Sequence, residues 1–332
     1  MHTHERTVLA GLVVAVAGVA VWVQASAPAS LVAPPERPTR ALGNGSVRTG
    51  SLAFPRHAIG ADDQDVAVPR VPGRIVSQYW SVDEYVYALV PPQRVVGVSD
   101  TAYSDASSNV LPFVARYRPV IATDPEQVLR TSPDLVIAAD SGRWEVTGVL
   151  RDAGLPVYRM HTQFETLDAI AAHIGLVGYL TGADAAAAAE KDRFAQAIER
   201  AAARRPPGAA APRVLGMGAT YTYGSQTLFH DILRVLGAEN VAASHGFTGY
   251  DHVSDEQIVR WDPDWIVAGA VRGQARQTRA ALLARPAIAA TSAARLGHVV
   301  AIEDDVFLPM SPYTARLVEL LAAIFYGGAD GD

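Results

Sequence analysis

Short runs of branched apolar residues alternate with longer amphipathic stretches along most of this chain. Arg74–Ser77, Val95–Val98, Leu135–Ala139, Val157–Met160, Arg213–Leu215, Trp265–Ala270 and His298–Ile302 read as buried strands. Between them, Ser81–Leu89 places Val82, Tyr85, Val86 and Leu89 on one helical face. Thr166–Leu180, Ala183–Arg204, Leu228–Leu236, Arg279–Leu283 and Tyr313–Tyr326 also read as helices. Phe54–Pro69 reads as a hairpin-like lead-in with a glycine turn. Continuous apolar strands separated by helices predict a parallel or mixed α/β sheet.

One segment of this pattern occurs twice. Glu126–Ala138, EQVLRTSPDLVIA, returns as Glu256–Ala268, EQIVRWDPDWIVA, 130 residues later. Each copy predicts a short helix opened by a capping box, with Gln127 or Gln257 at its third position. Pro133 or Pro263 then stops the helix and a strand follows. A repeat of this length predicts two similar α/β lobes with a ligand cleft between them, not a solenoid. The alanine-rich stretch Ala183–Arg204 is long enough to cross from one lobe to the other. A single stiff crossing predicts a clamp with little hinge motion. The expected layout is therefore a signal peptide at 1–29, a linker at 30–53 and an N-terminal lobe at 54–180. An interlobe helix at 181–205 and a C-terminal lobe at 206–332 complete it.

The N-terminus adds a location. Val8–Val23 is an unbroken apolar run of 16 residues followed by small residues, as in a secretory signal peptide. Cleavage fits after Ala25 or Ala29; a weakly basic start also leaves an uncleaved anchor open. The expected site is the periplasm.

Composition removes several chemistries. The chain has no cysteine, which excludes disulfides, thiolate metal sites, a Cys nucleophile and lipid attachment at an N-terminal Cys. Lys191 is its one lysine, and it lies in no Gly-Lys-Ser/Thr loop, so a phosphate-binding loop is excluded. A net charge of −6 without basic runs argues against nucleic acid. No Gly-x-Ser-x-Gly elbow is present, and Tyr221 stands where a dinucleotide fingerprint needs its third glycine. The chain is read as a binding protein and not as an enzyme.

The strands Arg74-Ile75-Val76-Ser77 and Val95-Val96-Gly97-Val98, with the two Pro-Asp copies, resemble a known family over roughly Phe54–Tyr326. It is that of the periplasmic substrate-binding proteins for iron–siderophores, haem and cobalamin, the helical-backbone type that serves ABC importers. The resemblance implies a metal chelate or corrinoid as ligand, with metal arriving only as part of it. It implies ABC permease subunits as partners; the scattered histidines, with no His-x-x-x-His spacing, offer no protein-held metal site, no cofactor is expected, and the chain is read as a monomer. In that family a glutamate at the start of each repeat helix docks onto permease arginines, positions held here by Glu126 and Glu256. On the residues alone, the helix dipole stabilises such carboxylates without any partner. Cleft aromatics would be Tyr79, Trp80, Tyr103, Trp144, Tyr221, Tyr223, Phe247, Tyr250 and Phe307, suited to flat macrocycles. Those resembling positions in cobalamin-binding members are Tyr103, Tyr223, Tyr250 and Phe307. Arg143 either pairs with an acidic group of the ligand or is a solvated loop arginine. In haem-binding members a Tyr or His ligates iron, a role open to Tyr79 or Tyr103. A stand-alone sensor or scavenger of the same fold is the remaining alternative.

Overall fold

The computed structural model describes residues 52–141, 144–218 and 220–327. The expected signal peptide, most of the expected linker, Arg143 and the side chain of Trp144 lie outside the described residues.

A hairpin opens the described chain, β1 (Arg56–Ile59) pairing antiparallel with β2 (Asp65–Val68). The first lobe then alternates strand and helix. Its elements are β3 (Ile75–Ser77), α1 (Trp80–Leu89), β4 (Val95–Val98), α2 (Leu111–Tyr117) and β5 (Val120–Ile121). They continue with α3 (Pro125–Arg130), β6 (Leu135–Ala139), α4 (Trp144–Asp152) and β7 (Val157–Met160). The sheet order is β5-β4-β3-β6-β7, all parallel. Every residue of β6 is buried, as expected for a strand covered on both faces.

Two helices lead out of this lobe, α5 (Leu167–Thr181) and α6 (Asp184–Ala202). At 19 residues α6 is shorter at both ends than expected and spans roughly 28 Å. The second lobe begins with β8 (Arg213–Met217), β9 (Thr222–Tyr223), α7 (Leu228–Val235), β10 (Glu239–Asn240) and α8 (Val241–Ser244). It continues through β11 (Tyr250–Asp251), α9 (Asp255–Trp261), β12 (Trp265–Ala270), α10 (Ala275–Leu283) and α11 (Pro286–Ala289). It ends with α12 (Ser292–Arg295), β13 (Val299–Glu303), α13 (Asp304–Phe307) and α14 (Thr314–Tyr326). The parallel order β10-β8-β12-β13 repeats β4-β3-β6-β7 of the first lobe. Two α/β lobes joined through a long helix are thus the architecture. α6 packs on α1 and α5 on one side and on the closing helix α14 on the other.

The duplicated segment has a duplicated job. In the first copy the Asp134 carboxylate accepts from the backbone N–H of Gly73 at 2.9 Å and Arg74 at 2.8 Å. In the second, Asp264 accepts from the N–H of Arg213 at 3.0 Å. The arginines reciprocate: Arg74 donates to the Thr131 carbonyl and Arg213 to those of Trp261 and Asp262, satisfying orphan carbonyls at the helix ends. Each Pro-Asp therefore staples its repeat strand to the first core strand of its lobe. The capping box is complete only in the second copy, where Ser254 and Gln257 bond reciprocally. In the first, Asp124 accepts from Gln127, but the Gln127 side chain reaches back to Thr123, one residue too early.

The lobes share buried material. One apolar cluster includes Val86, Tyr85 and Leu180 from the first lobe with Val214, Phe229, Phe307 and Leu321 from the second. Asp231 of α7 also accepts from the backbone N–H of Leu167 at 2.9 Å. Among the described residues no helix is long and apolar enough to cross a membrane.

Candidate ligand cleft

The segments that leave the carboxyl ends of β3, β4 and β13 converge between the lobes, the usual place for a ligand in open α/β sheets. They enclose a cavity of about 250 Å³. Trp80, Asp83 and Glu84 of α1, the 101–110 loop of the first lobe, and Asp304, Leu308 and Pro309 of the second line it.

The second lobe contributes an aromatic cluster. Tyr221, Tyr223 and Tyr250 lie 5.4–5.6 Å from one another, centroid to centroid, and edge to face. Tyr223 also meets Phe229 at 5.2 Å and Phe307 at 5.8 Å. The backbone makes this possible. β11 pairs with β9, setting Tyr250 opposite Tyr223; the Gly224 N–H donates to the Gly249 carbonyl, and Ser225 donates to the Phe247 carbonyl and accepts from the Gly249 N–H. A Cβ at Gly224 would sit 2.4 Å from the Phe247 carbonyl carbon, so only glycine lets the strands meet. Gly269 does the same under α13, where a Cβ would lie 2.8 Å from Asp304 and 2.9 Å from Phe307.

The expected cleft aromatics divide. Tyr250 is 51% exposed and presents a free face, whereas Tyr223 and Phe307 are 7% exposed and act as its backing. Tyr79 packs on Trp80 at 5.9 Å, and both are half-buried. Tyr103 closes the turn beside Thr101 and Ala102, with its hydroxyl donated to the Pro119 carbonyl at 2.7 Å. Phe247 does not join them; it turns into the second-lobe core against Trp261, at 5.2 Å. The sequence sets Phe247 among the cleft aromatics; its ring instead packs on the second-lobe cluster that includes Trp261 and Ile258.

Sequence reasoning passed over the polar groups of the cleft. Asp83 is fully buried and accepts from the hydroxyls of Ser77 and Ser99 and from the Ser99 N–H. Burial pushes its pKa to about 7 against those hydrogen bonds. Burial likewise raises Glu84 to about 7, opposed by Ser311 and Asn109. Asp304 is raised by burial and then by Asp305. Around them runs a clasp between the lobes. Asn109 donates to Glu84 at 2.7 Å and to the Asp305 carbonyl at 2.8 Å, and accepts from Arg316 at 3.0 Å. Arg272 donates to Asp305 at 2.7 Å and across the cleft to the Asp105 carbonyl at 2.8 Å. The one sequence signal was the pair Asp83-Glu84 set among apolar helix residues, an arrangement that burial makes costly and therefore informative.

Glu126 and Glu256 are exposed, each the second residue of its repeat helix. The pKa of Glu256 is lowered by its own backbone N–H and by Ser254. Among the described residues no group of three His, Asp or Glu side chains is placed to hold a metal.

The family model for periplasmic binding protein matches residues 75–306, which spans both sheets and the cleft. The chain belongs to the periplasmic binding protein family. Among curated relatives of this family member is a cobalamin-binding protein of Halobacterium salinarum, 29% identical over 276 residues, covering 82% of this chain and 73% of the relative. Another is an uncharacterized ABC transporter substrate-binding lipoprotein, YvrC, of Bacillus subtilis, 26% identical over 283 residues, with 82% and 86% covered. Among solved structures, the periplasmic heme-binding protein RhuT from Roseiflexus sp. RS-1 in apo form superposes with a TM-score of 0.63. It is 25% identical, covering 76% of this chain and 98% of RhuT.

Proposed function

We propose that this periplasmic binding protein works outside the cytoplasm, captures a corrinoid in its interlobe cleft and delivers it to an ABC permease. The observation that carries the reading is a cavity walled by both lobes and flanked by aromatic faces. At about 250 Å³ the cavity is small for a whole corrin macrocycle. It takes one edge, while the ring rests on Tyr79, Trp80 and Tyr250. Likeness to the halobacterial cobalamin-binding protein over most of the chain supports the ligand class. The exposed Glu126 and Glu256, repeated at equivalent places in the two lobes, are the docking points for the permease.

Haem capture is the second reading, favoured by the likeness to RhuT. The Tyr103 hydroxyl is already engaged by Pro119, so an iron-ligating phenolate would come from Tyr79 or Tyr250.

Trp80 lines the cavity, so intrinsic fluorescence reports its filling. Titration with cyanocobalamin, haemin and ferric siderophores should give saturable quenching by cyanocobalamin at sub-micromolar concentration, on the order of typical capture affinities. Quenching by haemin alone would transfer the reading to haem. No response to any of them would remove the importer reading.

A further inference from the structure

The repeat duplicates more than folding needs. From the Glu to the Arg of each copy, helices α3 and α9 agree position by position in burial as well as in sequence. Val128 and Ile258 are fully buried and hold each helix to its lobe. Asp124 and Ser254 cap the helices by accepting from the N–H groups of Gln127 and Gln257. The other positions face out: Glu126, Leu129 and Arg130 in the first copy, Glu256, Val259 and Arg260 in the second. Spacings of three and four put each trio on one helical face. The charges have a local use, because a Glu four residues before an Arg supports a helix. That use does not account for the aliphatic residue between them. Leu129 is 40% exposed and Val259 is 47% exposed. Leucine favours a helix and β-branched valine does so less, so the property the two copies share is an apolar surface and not helix propensity. A single exposed aliphatic side chain is ordinary. The same one, framed by the same charges at equivalent places of both lobes, is a surface made twice.

We infer that Leu129 and Val259 are paired apolar anchors for the permease, each seated in a hollow bordered by a cation that meets the Glu and an anion that meets the Arg. This rests on the docking reading of Glu126 and Glu256 and adds what gives that contact its strength and orientation. An ion pair exposed to water contributes little by itself. An aliphatic side chain pressed in between the two charges keeps water from them, as the centre of an interface does. The order Glu, apolar, Arg also gives each face a direction. One partner surface fits both lobes only if it is presented twice, so the occupant is a permease of two like subunits, one against each lobe.

The test follows uptake of radiolabelled cyanocobalamin, or of haemin where the fluorescence titration selects it. The cells are the native host lacking its own copy of the gene and supplied with variants of the full chain. Leu129→Gln with Val259→Gln should lower uptake roughly tenfold. Affinity of the purified variant for the same ligand should stay within about twofold, and its thermal midpoint should hold, because both side chains are exposed. Each single substitution should lower uptake by about threefold. Leu129→Met with Val259→Leu, which keeps the surface apolar, should transport within about twofold of the parent. Leu320→Gln, on α14 and 38% exposed, is the control and should transport normally.

Normal uptake by the double Gln variant, with uptake lost in Glu126→Ala with Glu256→Ala, would overturn the inference and leave the docking reading standing. A loss in Leu320→Gln as large as in the double variant, or no recovery in the Met and Leu variant, would overturn it as well. One single substitution silent while the other is fully defective would overturn the pairing of the anchors. Normal uptake by the double Glu variant would remove the docking reading and this inference with it.

Discussion

The duplicated Pro-Asp staple makes an unequal prediction for two residues that are equivalent in sequence. Asp134 holds two backbone N–H groups, at 2.9 and 2.8 Å, whereas Asp264 holds one, at 3.0 Å. Hydrogen bonds to a charged acceptor contribute about 1.5–3 kcal/mol each, and both carboxylates are partly exposed, which argues for the lower end. Asp134→Ala should then destabilise the protein by about 2–3 kcal/mol, and Asp264→Ala by about 1–1.5 kcal/mol. Chemical unfolding in urea, followed by far-ultraviolet circular dichroism, measures both from midpoint shifts at a common slope. The double variant should be close to the sum, since the staples are in different sheets and share no partner. Equal losses for the two, or a loss below about 0.5 kcal/mol for Asp134→Ala, would refute the view that these carboxylates hold the strands together.

Three further outcomes are expected. Replacing Glu126 and Glu256 together by Ala should abolish uptake in a transport assay while the ligand dissociation constant stays within about twofold, because both side chains are exposed; a large affinity loss would sink the docking role. Gly224→Ala forces a methyl group against the Phe247 carbonyl, so a loss of about 1–3 kcal/mol should appear in thermal unfolding together with weaker ligand quenching; unchanged stability would show that the two loops can part freely. His161 sits 2.5 Å from Asp140, whose hydrogen bond raises the His161 pKa; burial pushes Asp140 up, but bonds from His161 and Thr162 leave it lowered. The pair contributes most below the ordinary histidine pKa of about 6.5, loses strength as pH rises through the elevated value, and fails again in acid as Asp140 protonates. His161→Ala should therefore cost more stability at pH 5.5 than at pH 9, and an equal cost at both would refute the pairing.

The frame was readable because its rules are local and repeated. Leu135–Ala139 and Trp265–Ala270 announce themselves as strands by apolar runs after Pro-Asp, and a two-lobed fold follows from the repeat. The carboxylate staples were not readable, since nothing in Pro-Asp says that the side chain reaches Gly73 and Arg74, about 60 residues away. Helix α2 was missed because Arg118 ends it with a positive φ where a glycine would have been a signal. β9 and β11 have no sequence signal because a two-residue strand carries no periodicity, and their pairing joins residues far apart in sequence. The aromatics of the cleft were legible as residue types but not as faces. Tyr223 and Phe307 back the site that Tyr250 presents, and only the β9–β11 register decides which is which. Asp83 and Glu84 ran against the pattern altogether: buried carboxyls on an apolar helix violate the rule that locates cores, and such violations concentrate at functional sites.

The shared core also constrains how this protein can choose a ligand. A wide hinge could select by closing fully on the right molecule and partly on the wrong one. Here α6, the buried cluster running from Val86 to Phe307, and the Asn109 and Arg272 clasp all tie the lobes together. Opening the cleft widely would expose apolar surface at roughly 25 cal/mol per Å² and break charge-assisted bonds as well. Selection therefore has to reside in walls that stand ready before the ligand arrives. Preorganisation of that kind favours affinity, because little ordering remains to be done on binding. It also leaves discrimination to the fixed chemistry of the wall, and in this cleft the fixed chemistry is carboxyl groups held at the border of ionisation beside exposed aromatic rings.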